Sequence, residues 1–479
     1  MRIERKNSLI VIIDVLCCVI AYAVSLYWND NYNILFYVVT SMYVYMIISW
    51  YYVSGKIFNY FTVLIALTYI YYYGQVILYA FNRPIRFQYT ITNTLTKESI
   101  VKAAYYLLIN VLVLHASAIF FNKRVKKGKQ RDKLNVANFR SYRFTAIVVL
   151  CVSFVCQVML LLYKYTINIT LGYANALGSV YDAAGSFSTI VNFLATMYLP
   201  AFFLALVTTR YNKILNKFVW ASYGVYLVLY FMSGSRFDAI ISLAGVVLLY
   251  HYCYREIKII QAIIIGGIGM LALFVCAVMS NIRIVENGNF SSIYNENVSE
   301  AVERTLENSF IEENLAVTGL QLLSVTTVME NCPSKVDFTY GIYYLQGFMR
   351  IIPNIFISDN NILITKDIDT IFHEYLTKTY GMGSSFIVEA YYNFGYFGVL
   401  MMIIYGYMIA FINKKNEEVR FGLNQNDLLI GFLFYIISRS FFWVRSDARM
   451  LPREIVFYYL GFLCLSWIVK NVVYRKNYK

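Results

Sequence analysis

Apolar stretches of about 20 residues recur from one end of the chain to the other, each long enough to cross a ~30 Å hydrocarbon layer as a helix. They do not alternate every second residue, as the strands of a barrel would. Of the 479 residues, 59% are hydrophobic and only 14% are charged, too little polar surface for a soluble domain of this length. The expected fold is an all-α polytopic membrane protein. Twelve spans are expected, near 8–28, 33–53, 57–80, 99–121, 144–165, 187–209, 215–232, 237–253, 259–280, 384–413, 428–446 and 454–473.

Charge orients these spans. When the connections are assigned alternately to the two sides, Lys and Arg collect on one of them. That side holds MRIERK, the 122–143 stretch NKRVKKGKQRDKLNVANFRSYR, RYNKILNK, NKKNEEVR and the tail. The positive-inside rule then puts both termini in the cytoplasm. The net charge of +14 is accounted for by this topology and the bilayer beside it, so nucleic acid is not an expected partner. The first apolar run is too long for a signal peptide and is read as a retained span. Most of the eight cysteines lie in or at the ends of apolar runs, which leaves no disulfide framework. The organisation expected is spans one to nine over 1–280, a large extracytoplasmic loop over 281–383 with amphipathic helices, and spans ten to twelve over 384–479. Loops of that length are uncommon without a function.

Unusual polar residues gather at the outer boundary. The bend FMSGSRFDAI brings Arg236 and Asp238, and the long loop brings Arg350 and His373. The stretch ISRSFFWVRSDARMLPRE brings Arg439, Arg445 and Arg449. The stretch GMGSSFIVEAYYNFG opens span ten with Gly383, then Ser385, Glu389 and Asn393, spaced four apart and therefore on one helix face. Ionised groups inside a span pair with each other or line a wet cavity, so a Glu389–Arg439 pair is one expectation and a substrate-facing role the other. Arginine holds phosphate oxygens bidentately and stays charged, and a helix start favours an anion. Several outer arginines therefore point to a lipid-linked pyrophosphate.

The run SGSR, the loop sequence YGIYYLQGFMRIIPN and the stretch FHEYLTKTYGMGSSFIVEAYYNFGYFG together resemble the Wzy-type polymerases of bacterial O-antigen and capsular or exopolysaccharide repeat units. The resemblance implies a GT-C-like, metal-independent, inverting glycosyltransferase without a cofactor. It implies location in the bacterial cytoplasmic (inner) membrane, with the active site facing outward. Its substrates would be an undecaprenyl-pyrophosphate-linked oligosaccharide donor and a like acceptor, with undecaprenyl pyrophosphate leaving. A chain-length regulator and a flippase are implied as partners. By motif match, Arg236, Arg350, His373, Gly383, Ser385, Glu389 and Asn393 carry over. The physical argument alone adds Arg439, Arg445 and Arg449 to the pyrophosphate site. Glu389, His373 and Asp238 are the candidate bases. Two other readings share features of the chain: a ligase that transfers finished polymer, and a flippase or transporter of the lipid-linked unit. The hundred-residue outer loop and the lack of two similar halves count against transport.

Overall fold

The computed structural model describes residues 2–28, 31–83, 85, 91, 95–122, 136–171, 186–233, 236–258, 260–262, 264–269, 271, 274–275, 278, 302–303, 305–306, 309–351, 368, 383–420 and 426–474. Among them every regular element is helical and none is a strand. Among the described residues, nine helices are long and apolar enough to cross a membrane. Three shorter ones, Ala239–Cys253, Ile260–Gly269 and Asp427–Phe442, fall where the sequence led us to expect the other three spans. The chain divides into two compact units. One comprises Met1–Lys126, Ile311–Lys415 and Ser440–Arg453; the other comprises Lys127–Phe310, Asn416–Arg439 and Glu454–Lys479.

The first unit is built around the helix Lys97–Phe121, most of whose residues are buried. Arg2–Tyr27, Tyr32–Ser54 and Gln321–Asn331 all pack against it. Local chemistry starts these helices where the sequence supplies a cap. The side chains of Asn31, Asn59 and Thr96 each accept from N–H groups of the first turn. Inside the unit, Asp14 and His115 are fully buried and meet at 2.9 Å, with Ser49 Oγ 3.1 Å from the other ring nitrogen. His115 is thereby a satisfied core histidine, tying three spans together.

The expected tenth span is not one continuous helix. Phe386–Phe394 ends at Gly395, whose φ of 58° and ψ of −137° an L-residue rarely adopts. A 3₁₀ turn, Gly395–Leu400, follows, and then the helix Met401–Arg420. The turn packs back on the helix it follows: a Cβ on Gly398 would run into the Ala390 carbonyl. In a straight helix, residues eight apart would lie about 12 Å apart along the axis. Glu389 and Asn393 therefore sit on a short helix enclosed by protein rather than on the lipid face of a span.

In the second unit the long helix Val136–Leu171 packs against Ser186–Thr196 and Tyr198–Thr209, two helices separated at Met197. Aromatic stacking fills the interior, with Phe202 and Tyr223 rings 4.4 Å apart. The chain's last helix begins at Leu451–Glu454 and passes through a π-helical stretch, Ile455–Leu460, directly after Glu454.

Candidate functional site

The site is assembled in the first unit from four pieces: the 383–386 entry, the helix Phe386–Phe394, the helix Ile342–Met349 and the 443–450 turn. Gly383 has a φ of +68°, and a Cβ there would lie 2.8 Å from Gln321 Nε2 and 3.1 Å from the Arg445 carbonyl. Ser324 Oγ donates to the Gly383 carbonyl at 2.9 Å. The Ser384 N–H donates to the Arg445 carbonyl at 3.3 Å and the Phe386 N–H to the Trp443 carbonyl at 3.0 Å, so the entry runs alongside the turn. Ser385 caps the helix by accepting from the Val388 N–H at 3.3 Å. Two of the N–H groups that the sequence reading offered to an anion are thus used within the protein.

Glu389 is fully buried one turn into this helix. Its Oε2 accepts the Ala448 N–H at 2.9 Å, while its Oε1 has no hydrogen-bond partner among the described residues. Asp447, Arg449, Tyr344 and Tyr405 lie within its electrostatic reach. Asn393 donates to the Glu389 carbonyl at 2.8 Å, and its Oδ1 accepts from Thr339 Oγ1 at 2.9 Å and the Gly341 N–H at 3.1 Å. It secures the helix to the 339–341 turn.

Arg449 is buried, 4% exposed. Its Nε pairs with Asp447 Oδ2 at 2.6 Å, and its Nη1 donates to Gln346 Oε1 at 3.1 Å. Its Cζ lies 4.3 Å from the centre of the Tyr343 ring, and Tyr343 in turn donates to Asp447 at 3.1 Å. Ala448, which holds Glu389, lies between the two charged partners in the chain. Arg350 ends the helix Ile342–Met349 and approaches Met450 Sδ at 4.0 Å. Arg445 is exposed on the turn.

Of the residues in the expected Glu389–Arg439 pair, Glu389 accepts the Ala448 N–H within the first unit, and Arg439 pairs with Glu454 at 2.8 Å within the second. Tyr435 donates to the same Glu454 oxygen at 3.1 Å. Arg236 opens the helix Arg236–Cys253 in the second unit, and Asp238 lies in its first turn; both side chains lie outside those described. His373 lies outside the described residues. So do Asp367 and Asp369, which flank Ile368 as an Asp-x-Asp triplet in the long segment. Sequence reasoning missed Gln346, Tyr343, Gln321 and Ser324, and it gave Asp447 and Glu454 no role as partners. The one available signal was a glutamine inside the otherwise apolar YGIYYLQGF.

A family model described as O-antigen polysaccharide polymerase Wzy matches residues 8–477. No curated protein matches the chain, and no solved structure does.

Proposed function

Because the chain belongs to the O-antigen polysaccharide polymerase Wzy family, a multi-pass membrane family acting on lipid-linked oligosaccharide repeat units, we propose that it transfers a growing glycan from undecaprenyl pyrophosphate to the next lipid-linked repeat unit. The reaction is read as inverting and metal-independent, on a GT-C-like frame of twelve crossings, at the outer face of the bacterial inner membrane, with both termini cytoplasmic.

In this reading an acceptor hydroxyl attacks the donor's anomeric carbon. The bond to the pyrophosphate oxygen breaks, and that oxygen keeps the electron pair. The hydroxyl proton passes to Glu389. A base must lie within hydrogen-bond reach of the proton it takes and must be held in place. The observation that carries the proposal is the Glu389 carboxylate: it is buried, one oxygen is fixed by the Ala448 N–H, and the other has no hydrogen-bond partner among the described residues. Exposed Arg445, together with Arg350, suits the growing charge on the leaving pyrophosphate. The buried contacts of Arg449 support a holding role for it, keeping the 447–449 turn in place beneath Glu389. Arg236 and Arg439 keep the phosphate-binding assignment given them from the sequence, and His373 and Asp238 remain alternative bases; substitution tests each one.

The test is polymer formation by the purified full-length protein in vesicles, supplied with lipid-linked repeat units extracted from a strain that lacks the gene. Polymerase activity gives a ladder of glycans and releases undecaprenyl pyrophosphate. A ligase gives no ladder without a separate acceptor. A transporter moves the unit across the vesicle wall without lengthening it. Either of the last two results overturns the reading.

A further inference from the structure

The helix Ile342–Met349 is inside out for a helix in water. It buries Tyr343, Gln346 and Gly347, and its polar Gln346 faces Arg449 within the protein. It exposes Ile342 (38%), Leu345 (54%) and Phe348 (58%), three residues apart and so in one ridge along the outward face. Tyr340, just before it, is 76% exposed. The ridge does not stand alone. The Tyr340 N–H donates to the Asn393 carbonyl, and the Phe394 ring lies against Gly341. In the chain that follows Phe394, Tyr396, Phe397 and Leu400 are exposed, as are Ile404 and Tyr407 on the helix Met401–Arg420. That helix lies within Phe386–Arg420, a segment long and apolar enough to cross a membrane.

We propose that Ile342–Met349 is an interfacial helix, with Ile342, Leu345 and Phe348 set among the acyl chains of the bilayer and continuous with the lipid-facing surface of Met401–Arg420. The occupant of this face is bilayer lipid rather than a second protein. Interfacial helices bury an apolar face in the upper acyl region and turn their polar face elsewhere; here the polar face is turned onto the protein. Arg350, directly after the helix, then stands at headgroup height, where arginines reach phosphate. Taken with the proposed function, on which this consequence rests, the site containing Gln346, Arg449 and Glu389 borders the membrane. The hydrocarbon of a lipid-linked substrate need not leave the bilayer to react.

The test is photocrosslinking in the full-length protein reconstituted in vesicles of phosphatidylethanolamine and phosphatidylglycerol. p-Benzoylphenylalanine is placed singly at Leu345 or Phe348, at Ile404 and Tyr407 as lipid-facing positions, and at Ser334, in an exposed polar turn, as background. All five side chains are exposed or face outward, so the probe displaces no buried packing. The expected result is a mass shift of one phospholipid on the peptides carrying 345 and 348, comparable with 404 and 407 and absent at 334. Adducts at 404 and 407 with none at 345 and 348 would overturn the proposal. So would crosslinks from 345 or 348 to a second copy of the chain, which would mark the ridge as a protein interface. The readout needs no catalysis, so its failure leaves the polymerase reading standing. Loss of the ladder assay with these adducts intact would fail that reading alone.

Discussion

Glu389 takes its place from two neighbours in sequence and one distant segment. Ser385 caps the helix that carries it, Asn393 fastens the far end of that helix, and the Ala448 N–H fixes one carboxylate oxygen. Replacing Ser385 with Ala removes the cap and is expected to cost about 1 kcal/mol; thermal unfolding in detergent reads the difference. Arg449→Ala strands the Asp447 carboxylate and should cost about 3–5 kcal/mol, as breaking a buried pair does. Arg449→Lys keeps the charge but loses the fork shared between Asp447 and Gln346, and should lie between Arg449→Ala and the unaltered protein. A melting temperature unchanged in both variants would refute the holding role. The helical spacing of Glu389 and Asn393 was legible because it is a local property, whereas Ser385, expected on the same face, is the extended cap that precedes the helix. The partners of Arg439 and Arg449 were not legible. Glu454 lies across a turn from Arg439, and Gln346 lies a hundred residues before Arg449, so no short-range pattern joins either pair.

At the scale of elements, the bend at Gly395 decides whether the polar triad meets lipid or protein. The apolar run over 386–413 reads as one span because hydropathy does not register φ and ψ. The glycine pair in NFGYFG was the available sign. Gly395 takes a backbone conformation closed to other residues, and Gly398 lets the turn close on Ala390. Gly398→Leu should force the two apart and straighten the segment. The expected outcome is loss of the monodisperse peak in size-exclusion chromatography, or of polymer where a peak survives; a variant with a normal peak and a normal ladder would contradict the bend's role. The helix Ile342–Met349 lies in the 281–383 segment, where amphipathic helices were expected. Its inverted polarity depends on Arg449, which the sequence places far from it.

Over the whole molecule, apolar composition and charge asymmetry were enough to indicate a polytopic helical protein, because both follow from the bilayer rather than from tertiary contacts. Among the described residues nine helices are long and apolar enough to cross a membrane, fewer than the twelve spans expected, and the one over 386–420 is broken at Gly395. The proposed topology predicts that thiols introduced near either terminus stay protected from an impermeant reagent in intact cells, while one at Ser334 reacts. Labelling of a terminus from outside would invert the scheme and move the proposed site to the wrong face. The central claim, that the Glu389 carboxylate takes the acceptor proton, is tested most directly by Glu389→Gln in the vesicle assay with extracted lipid-linked repeat units. This substitution keeps the size and an oxygen to accept the Ala448 N–H but removes the base. The account predicts a folded protein that forms no ladder and releases no undecaprenyl pyrophosphate. A full ladder from Glu389→Gln would contradict it.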